Sequence, residues 1–384
     1  YLAPQARSCR PAARPCLSGR PMRLRHFETL RPHCPICYRD GGQSAPLTLV
    51  TVLKREADVI MEGMLLCSSP NCQREYPIVD GIPLIVANLR GYLAENLHQL
   101  MARDDLSPTL ESVIGDCAGP GSQFDITRHQ VGSYARDHYG QDDPEEPEDE
   151  PRPGATARLL STGLEHAGPL PDGPLLDLGC AVGGTSFALA QRTGQLVLGI
   201  DLNLAMLRVA TTALYRGVVQ YPRKCTGVVY ERRRFPVHFP AAEQVDFWAC
   251  DVGALPFASA TFAMTAALNL LDCVRAPREL LVEIARTLAP GSKAILTSPY
   301  DWSPAATPLE GWLGGHSQRG AGRGASEPVL RALLTPGGHP AALDALEMES
   351  EVLAVPWHVR LHDRSTVSYR VHLMIARKRP GTAP

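Results

Sequence analysis

Two sets of residues in this 384-residue chain have types and spacings that do chemistry. The first is Asp177, Gly179, Ala181, Gly183 and Gly184, with Asp201 further on. Glycines let such a turn fold tightly and let a ligand come close to the backbone. A helix starting at the turn offers free N–H groups and a positive dipole end to an anionic group. Asp201 brings two oxygens for the two hydroxyls of a ribose. The second set is Cys34-Pro-Ile-Cys37 and Cys67-Ser-Ser-Pro-Asn-Cys72. Two such pairs suit four thiolates around one tetrahedral zinc ion, a closed and structural coordination. Four unrelated thiols, or a redox pair at Cys34 and Cys37, are the alternatives.

The elements that must position the first set read clearly. Leu175 to Leu178 is a short apolar strand that breaks at Gly179, and Thr185 to Gln191 is a helix. Leu196 to Ile200 is a second strand, ending on Asp201, and Leu204 to Tyr215 a second helix. Strand, glycine turn, helix, strand, acid is the layout of a nucleotide-binding α/β unit. Further strands are expected at Val245–Asp251, Phe262–Leu271 and Lys293–Thr297, with a helix at Pro277–Leu288. Their ends would bring Asp177, Asp201, Asp251, Asn269 and Ser298 to one sheet edge, where open α/β sheets bind ligands. Two more strands, Glu347–Val355 and Ser368–Lys378, are joined by Trp357 to Arg364.

Other stretches are less regular. Val218 to Val245 reads as an inserted hairpin carrying Glu231-Arg-Arg-Arg-Phe235, either a solvated face or a contact for an anionic substrate or RNA phosphate. Gln141 to Pro153 is acidic and proline-rich, expected to be a solvated loop. Ser298 to His316 carries Tyr300, Trp302 and Trp312, either a stacking wall for substrate or packing within the loop. Ser317 to Gly338 is glycine-rich and expected to be mobile. Arg90 to Tyr139 holds two helical segments, Tyr92–Arg103 and Phe124–Tyr139.

Formal charges nearly cancel, 38 basic against 40 acidic residues, so no global field draws nucleic acid or anionic membrane. No apolar run approaches a membrane span. The eleven cysteines are mostly scattered, and Cys180, Cys250 and Cys273 fall in apolar runs, as reduced core thiols of a cytoplasmic protein do.

The glycine turn departs from the dinucleotide pattern Gly-x-Gly-x-x-Gly. It resembles motif I of class I S-adenosylmethionine (SAM) methyltransferases. That resemblance implies an α/β, Rossmann-like doubly wound sheet whose last strand runs antiparallel. It also implies cofactor binding by Asp177, Gly179, Ala181, Gly183, Asp201, Asp251 (near the adenine amine) and Asn269. Glu75-Tyr-Pro-Ile-Val-Asp-Gly-Ile-Pro83 resembles the closing strand of Trm112-like zinc domains, which accompany methyltransferases; it implies a structural metal on Cys34, Cys37, Cys67 and Cys72.

Several segments together resemble the 4-mercaptohistidine N1-methyltransferase family, which includes the methyltransferase portion of ovothiol-forming enzymes. They are Leu176-Asp-Leu-Gly-Cys-Ala-Val-Gly183, Ala267-Leu-Asn-Leu-Leu-Asp272, Leu296-Thr-Ser-Pro-Tyr-Asp-Trp302, Trp312-Leu-Gly-Gly315 and Pro356-Trp-His-Val-Arg-Leu-His-Asp-Arg364. The resemblance implies methyl transfer to an imidazole nitrogen of a small acceptor, with Asp272, Tyr300 and His362 as catalytic candidates that orient it. An RNA or protein methyltransferase docking through the zinc ribbon is the alternative, and a non-catalytic SAM-binding scaffold the third reading. The expected organisation is a disordered leader over 1–21, a zinc ribbon over 22–90, a helical and acidic linker over 91–154, the methyltransferase domain over 155–379 and a tail over 380–384.

Overall fold

The computed structural model describes residues 24, 27–28, 31–37 and 45–380, apart from 57–58, 80, 96, 102, 104, 148–150 and 256. The leader over 1–21, and Pro256 of the Leu255-Pro256-Phe257 motif, lie outside the described residues. The chain forms two compact units that meet in sequence at Gly119 and Pro120. The expected linker over 91–154 is therefore divided between them rather than standing apart.

The first unit is an antiparallel four-stranded sheet in chain order: β1 (Leu47–Glu56), β2 (Val59–Cys67), β3 (Glu75–Val79) and β4 (Ile82–Pro83). Three helices follow, α1 (Leu89–Glu95), α2 (Leu97–Met101) and α3 (Pro108–Ala118). Ser107 caps α3 by accepting the Leu110 N–H at 3.3 Å, and Pro108 opens its first turn. The sheet's core is small: Leu47, Ile60, Leu65, Tyr76 and Ile78 around Cys34 and Cys67. A core of this size needs a staple.

The second unit begins with α4 (Gln123–Tyr139) and α5 (Ala155–Ala167). Then come β5 (Leu175–Leu178), α6 (Gly184–Thr193), β6 (Val197–Asp201) and α7 (Leu204–Arg216). The expected insertion is a two-stranded hairpin, β7 (Val218–Thr226) with β8 (Val229–Pro236). β9 (Val245–Ala249), β10 (Phe262–Ala267), α8 (Pro277–Thr287), β11 (Leu288–Ser298), α9 (Ser326–Leu333), β12 (Leu346–His362) and β13 (Ser365–Lys378) complete it. One seven-stranded sheet results, in the order β12-β13-β11-β10-β5-β6-β9. β5, β6, β9, β10 and β11 are parallel and β13 runs antiparallel to both neighbours.

The sheet is covered on both faces, and the pleat sorts its residues between them. Leu175 packs into one core with α4 to α7, while Leu176 and Leu178 pack into the other with α8 and Leu330 of α9. β13 repeats the alternation: Leu373 and Ile375 on the first face, Met374 and Ala376 on the second. This is the doubly wound arrangement with an antiparallel last strand expected from the sequence.

Four expectations are corrected. β9 stops at Ala249, so Asp251 lies two residues past the strand. The stretch from Trp357 to His362 is strand, not connector, because β12 pairs with β13 as far as His362↔Ser365. The 317–338 segment contains α9, whose Leu330 and Leu333 are buried. The acidic stretch is not simply solvated. Asp143 is bonded twice by Arg233, at 2.7 and 2.9 Å, and Glu146 pairs with both Arg136 and Arg360. The middle arginine of the basic run is thus a buried structural cation.

Candidate active site

The turn after β5 is built almost wholly from internal hydrogen bonds. Asp177, 1 % exposed, accepts the hydroxyls of Thr185 and Ser186 through one oxygen, at 2.7 and 2.6 Å, which fastens the start of α6 to the strand. Burial pushes its carboxyl up to about 6 in spite of these donors. The backbone N–H groups of Gly179 and Cys180 go to the Ile200 carbonyl, and that of Gly183 to Cys180. The Ala181 N–H goes to Asp201 and the Gly184 N–H to His138. These N–H groups of the turn, and the first one of α6, are therefore already taken.

The two consecutive glycines also serve packing rather than ligand approach. A side chain on Gly183 would start 2.5 Å from the Phe247 ring and 2.8 Å from Ala210, at a φ of +89°. One on Gly184 would strike His138 at 2.7 Å. Gly183→Ala is expected to cost about 2–4 kcal/mol, from the left-handed backbone and the clash together. A denaturant midpoint unchanged from wild type would refute this.

His138 and Tyr139 fasten α4 over the turn. His138 Nδ1 accepts the Gly184 N–H at 3.0 Å, and Tyr139 donates to the Val182 carbonyl at 2.5 Å. Burial holds the His138 imidazole below its ordinary pKa, which keeps Nδ1 an acceptor. A lone histidine near a helix end carries no sequence signal for this role.

Asp201 stands at the end of β6. Its Oδ2 accepts the Ala181 N–H at 2.9 Å and its Oδ1 the Asn203 N–H at 2.7 Å. Each oxygen retains one acceptor position, the capacity two ribose hydroxyls require. Leu202 beside it is 66 % exposed, an apolar surface next to that acid. Asp251 is exposed, with Oδ1 on the Gly253 N–H at 2.9 Å. Asn269, at a φ of +50°, takes the Thr297 hydroxyl on Oδ1 at 2.8 Å, while its buried Nδ2 has no partner. Free acceptor positions on Asp201 and an unused donor on Asn269 fit a nucleoside cofactor along this edge.

The second half of the edge lies past β10 and β11. Asp272, 2 % exposed, accepts the Ser298 hydroxyl at 3.1 Å and the Asp301 N–H at 2.6 Å. Burial pushes its carboxyl up against these donors. Asp301 is exposed, and one of its oxygens accepts the Tyr369 hydroxyl at 3.0 Å. Tyr134 of α4 faces the same place: burial, then Cys273, Asp201 and Asp272, hold its hydroxyl well above the usual range. Cys273 is exposed rather than a core thiol. Desolvation around its sulfur, then Asp272, Asp301 and Asp201, still push the thiol up to about 12, so it stays protonated. Asp301 and Tyr369 carry no sequence signal, because they meet only through a loop and the last strand.

The other two catalytic candidates are placed differently. The Tyr300 hydroxyl bonds His372 Nδ1 at 2.6 Å, and His372 Nε2 bonds Glu351 at 2.7 Å, whose carboxylate also takes Arg331. This relay runs toward α9, on the face away from Tyr134. Tyr300 stacks on Trp302 and Trp302 on Trp312, and the two indole N–H groups go to Ser326 and the Thr307 carbonyl. The aromatic loop is packed on itself. His362 sits at the β12 end with Arg223, Lys224, Arg360 and Asp363, and accepts the Arg364 N–H at 3.2 Å. The structure brings Asp272 near Tyr300 but places His362 in a separate cluster.

In the first unit the four cysteine sulfurs lie within 4.8 Å of one another. Cys34 and Cys72 are 3.8 Å apart and Cys37 and Cys67 3.7 Å. Both distances are far beyond the roughly 2 Å of a disulfide. They match the edge of a tetrahedron whose sulfurs stand about 2.3 Å from a central zinc.

The family described as Methyltransferase domain matches residues 176–296. The second unit carries a methyltransferase domain. The matched span runs from β5 into β11 and includes every cofactor candidate. A relative, methyltransferase phqN of Penicillium fellutanum, is 24 % identical over 197 residues, 49 % of this chain and 52 % of its own length. The chain thus spans about half the length of that curated relative. Among solved structures, Haemonchus contortus phosphoethanolamine N-methyltransferase 2 with SAM is 23 % identical, covering 37 % of this chain and 28 % of that one, with a TM-score of 0.29. A SAM-dependent methyltransferase from Methanosarcina mazei is 20 % identical over 56 % and 96 % of the two chains, with a TM-score of 0.36.

Proposed function

We propose that this chain transfers the methyl group of SAM to a nitrogen of a small imidazole-type acceptor such as a thiolated histidine, in the cytoplasm. The observation that carries the reading is the acid-and-tyrosine edge of Asp301, Asp272, Tyr134 and Tyr369 beside the cofactor acids of the methyltransferase domain. SAM, when bound, supplies a methyl on a good leaving group, so the protein's task is alignment and exclusion of water. Asp201 holds the ribose through its two open acceptor positions, with Asp251 and the Asn269 amide further along the edge. Asp301 has a carboxylate oxygen that Tyr369 does not use, and this oxygen keeps the acceptor nitrogen unprotonated. Asp272 orients the acceptor indirectly, by holding the Asp301 backbone. Asp301→Asn is expected to lower kcat about 10²–10⁴-fold with the SAM Kd unchanged. Turnover within threefold of wild type would dismiss Asp301.

The RNA alternative leaned on Arg232 to Arg234, but Arg233 is buried on Asp143 and Glu145. Cys34, Cys37, Cys67 and Cys72 hold one structural zinc, which closes the small core of the first unit and leaves no open coordination position. Metal analysis is expected to find one zinc per chain, and Cys67→Ser to lose it along with the protease resistance of residues 45–83. Full protease resistance after zinc is stripped by a chelator would contradict that role.

A further inference from the structure

Tyr76 of β3 is 1 % exposed, among the largest fully buried side chains of the molecule. Its hydroxyl lies 3.1 Å from the Cys34 sulfur, itself fully buried. A buried phenol at hydrogen-bond distance from a metal-type cysteine is not explained by packing, since phenylalanine would fill the same space without a polar atom to satisfy. We propose that Tyr76 is a positioning residue for the metal: its O–H donates to the Cys34 thiolate and sets the charge on that sulfur. The inference rests on the zinc reading above.

The direction of the bond follows from the chemistry of the site. A metal-bound cysteine is a thiolate with no proton, so the phenol is the only donor in the pair. Four thiolates around a divalent ion carry a net charge of about −2 into a buried core, which is costly unless donors surround the sulfurs. Backbone N–H groups of Ile36 and Cys37 also point at the Cys34 sulfur, and that of Ser69 at Cys67. Tyr76 adds an O–H from across the sheet. The register places it there: Tyr76 pairs with Leu65, two residues before Cys67, so β2 and β3 carry Cys67 and Tyr76 into the core that holds Cys34. The phenol therefore ties the metal to the sheet as well as to the two cysteine loops. Outer-shell donors of this kind typically change metal affinity 10–100-fold when removed.

The test uses the full chain, loaded with cobalt(II) in place of zinc, and compares wild type with Tyr76→Phe. Wild type is expected to show the visible spectrum of a tetrahedral four-thiolate cobalt site. In Tyr76→Phe the spectrum keeps that shape, but its sulfur-to-cobalt charge-transfer band moves to lower energy, because a thiolate without its hydrogen bond gives up electrons more readily. Zinc affinity, measured by competition with a chromogenic chelator, is expected to fall about 10–100-fold. Should the phenylalanine variant fail to fold, 3-fluorotyrosine at position 76, a stronger donor, is expected to move the band to higher energy. No four-thiolate spectrum in wild type would overturn the zinc reading and this inference with it. A normal wild-type spectrum, with neither substitution moving the band nor affinity changing by more than twofold, would overturn the role of Tyr76 alone.

Discussion

Asp201→Ala is expected to weaken SAM binding about 10²–10⁴-fold, the largest effect of any single substitution at the cofactor edge. The wild-type carboxylate keeps one acceptor position free on each oxygen after bonding the Ala181 and Asn203 N–H groups. Two charge-assisted hydrogen bonds to ribose hydroxyls are worth about 1.5–3 kcal/mol each, and each 1.4 kcal/mol is tenfold in affinity. The same substitution leaves two turn N–H groups without their acceptor, which loosens the Ala181 backbone. Asp201→Asn keeps one acceptor oxygen and should fall between the two. Calorimetric titration with SAM decides the matter: an alanine variant binding within threefold of wild type would remove Asp201 from the site.

Arg233→Met is expected to be the most destabilising change in the second unit, by about 3–5 kcal/mol. Its guanidinium is 4 % exposed and spans Asp143 and Glu145 at 2.7 to 2.9 Å. Methionine fills similar space, so the loss is the stranded charge of Asp143 rather than a cavity. Burial pushes the Asp143 carboxyl up, but Arg233, the Glu145 N–H and Tyr221 together hold it below the ordinary carboxylate range. A carboxyl depressed in the folded state stabilises fully above its unfolded pKa of about 3.9, and that contribution is lost as pH falls below it. In Arg233→Met this acid-sensitive contribution should disappear. Asp143→Asn added to Arg233→Met should recover most of the loss, since no buried charge then remains. Denaturant melts of wild type and the two variants at neutral pH test this; equal midpoints for wild type and Arg233→Met would contradict it.

The parts of the fold legible in the sequence are those fixed by local pattern. β5 is found at the expected residues because an apolar run of four breaks at Gly179, and α7 because its face is periodic and Asn203 caps it through the Ala205 and Met206 N–H groups. The two cysteine pairs announced their own convergence. What was not legible depends on partners distant in sequence. The acidic stretch and the arginine run each look solvated when read alone, and only the hairpin brings Arg233 to Asp143. Gly183 and Gly184 read as room for a ligand, but Phe247 and His138 fill that room. Asp301, Tyr134 and Tyr369 come from a loop, a helix and the last strand, so no spacing rule connects them. The Tyr300 to Glu351 relay required knowing that β13 lies beside β11.

The central claim is methyl transfer from SAM to an imidazole nitrogen of a small acceptor. Its most direct test is incubation of the full chain with methyl-labelled SAM and, in parallel, thiolated histidine, plain histidine, bulk RNA and a protein extract. The account predicts label on a ring nitrogen of the thiolated histidine, located by mass spectrometry, with little on the macromolecules and none from Asp201→Ala. Label confined to RNA or protein, or bound SAM with no transfer to any acceptor, would contradict it.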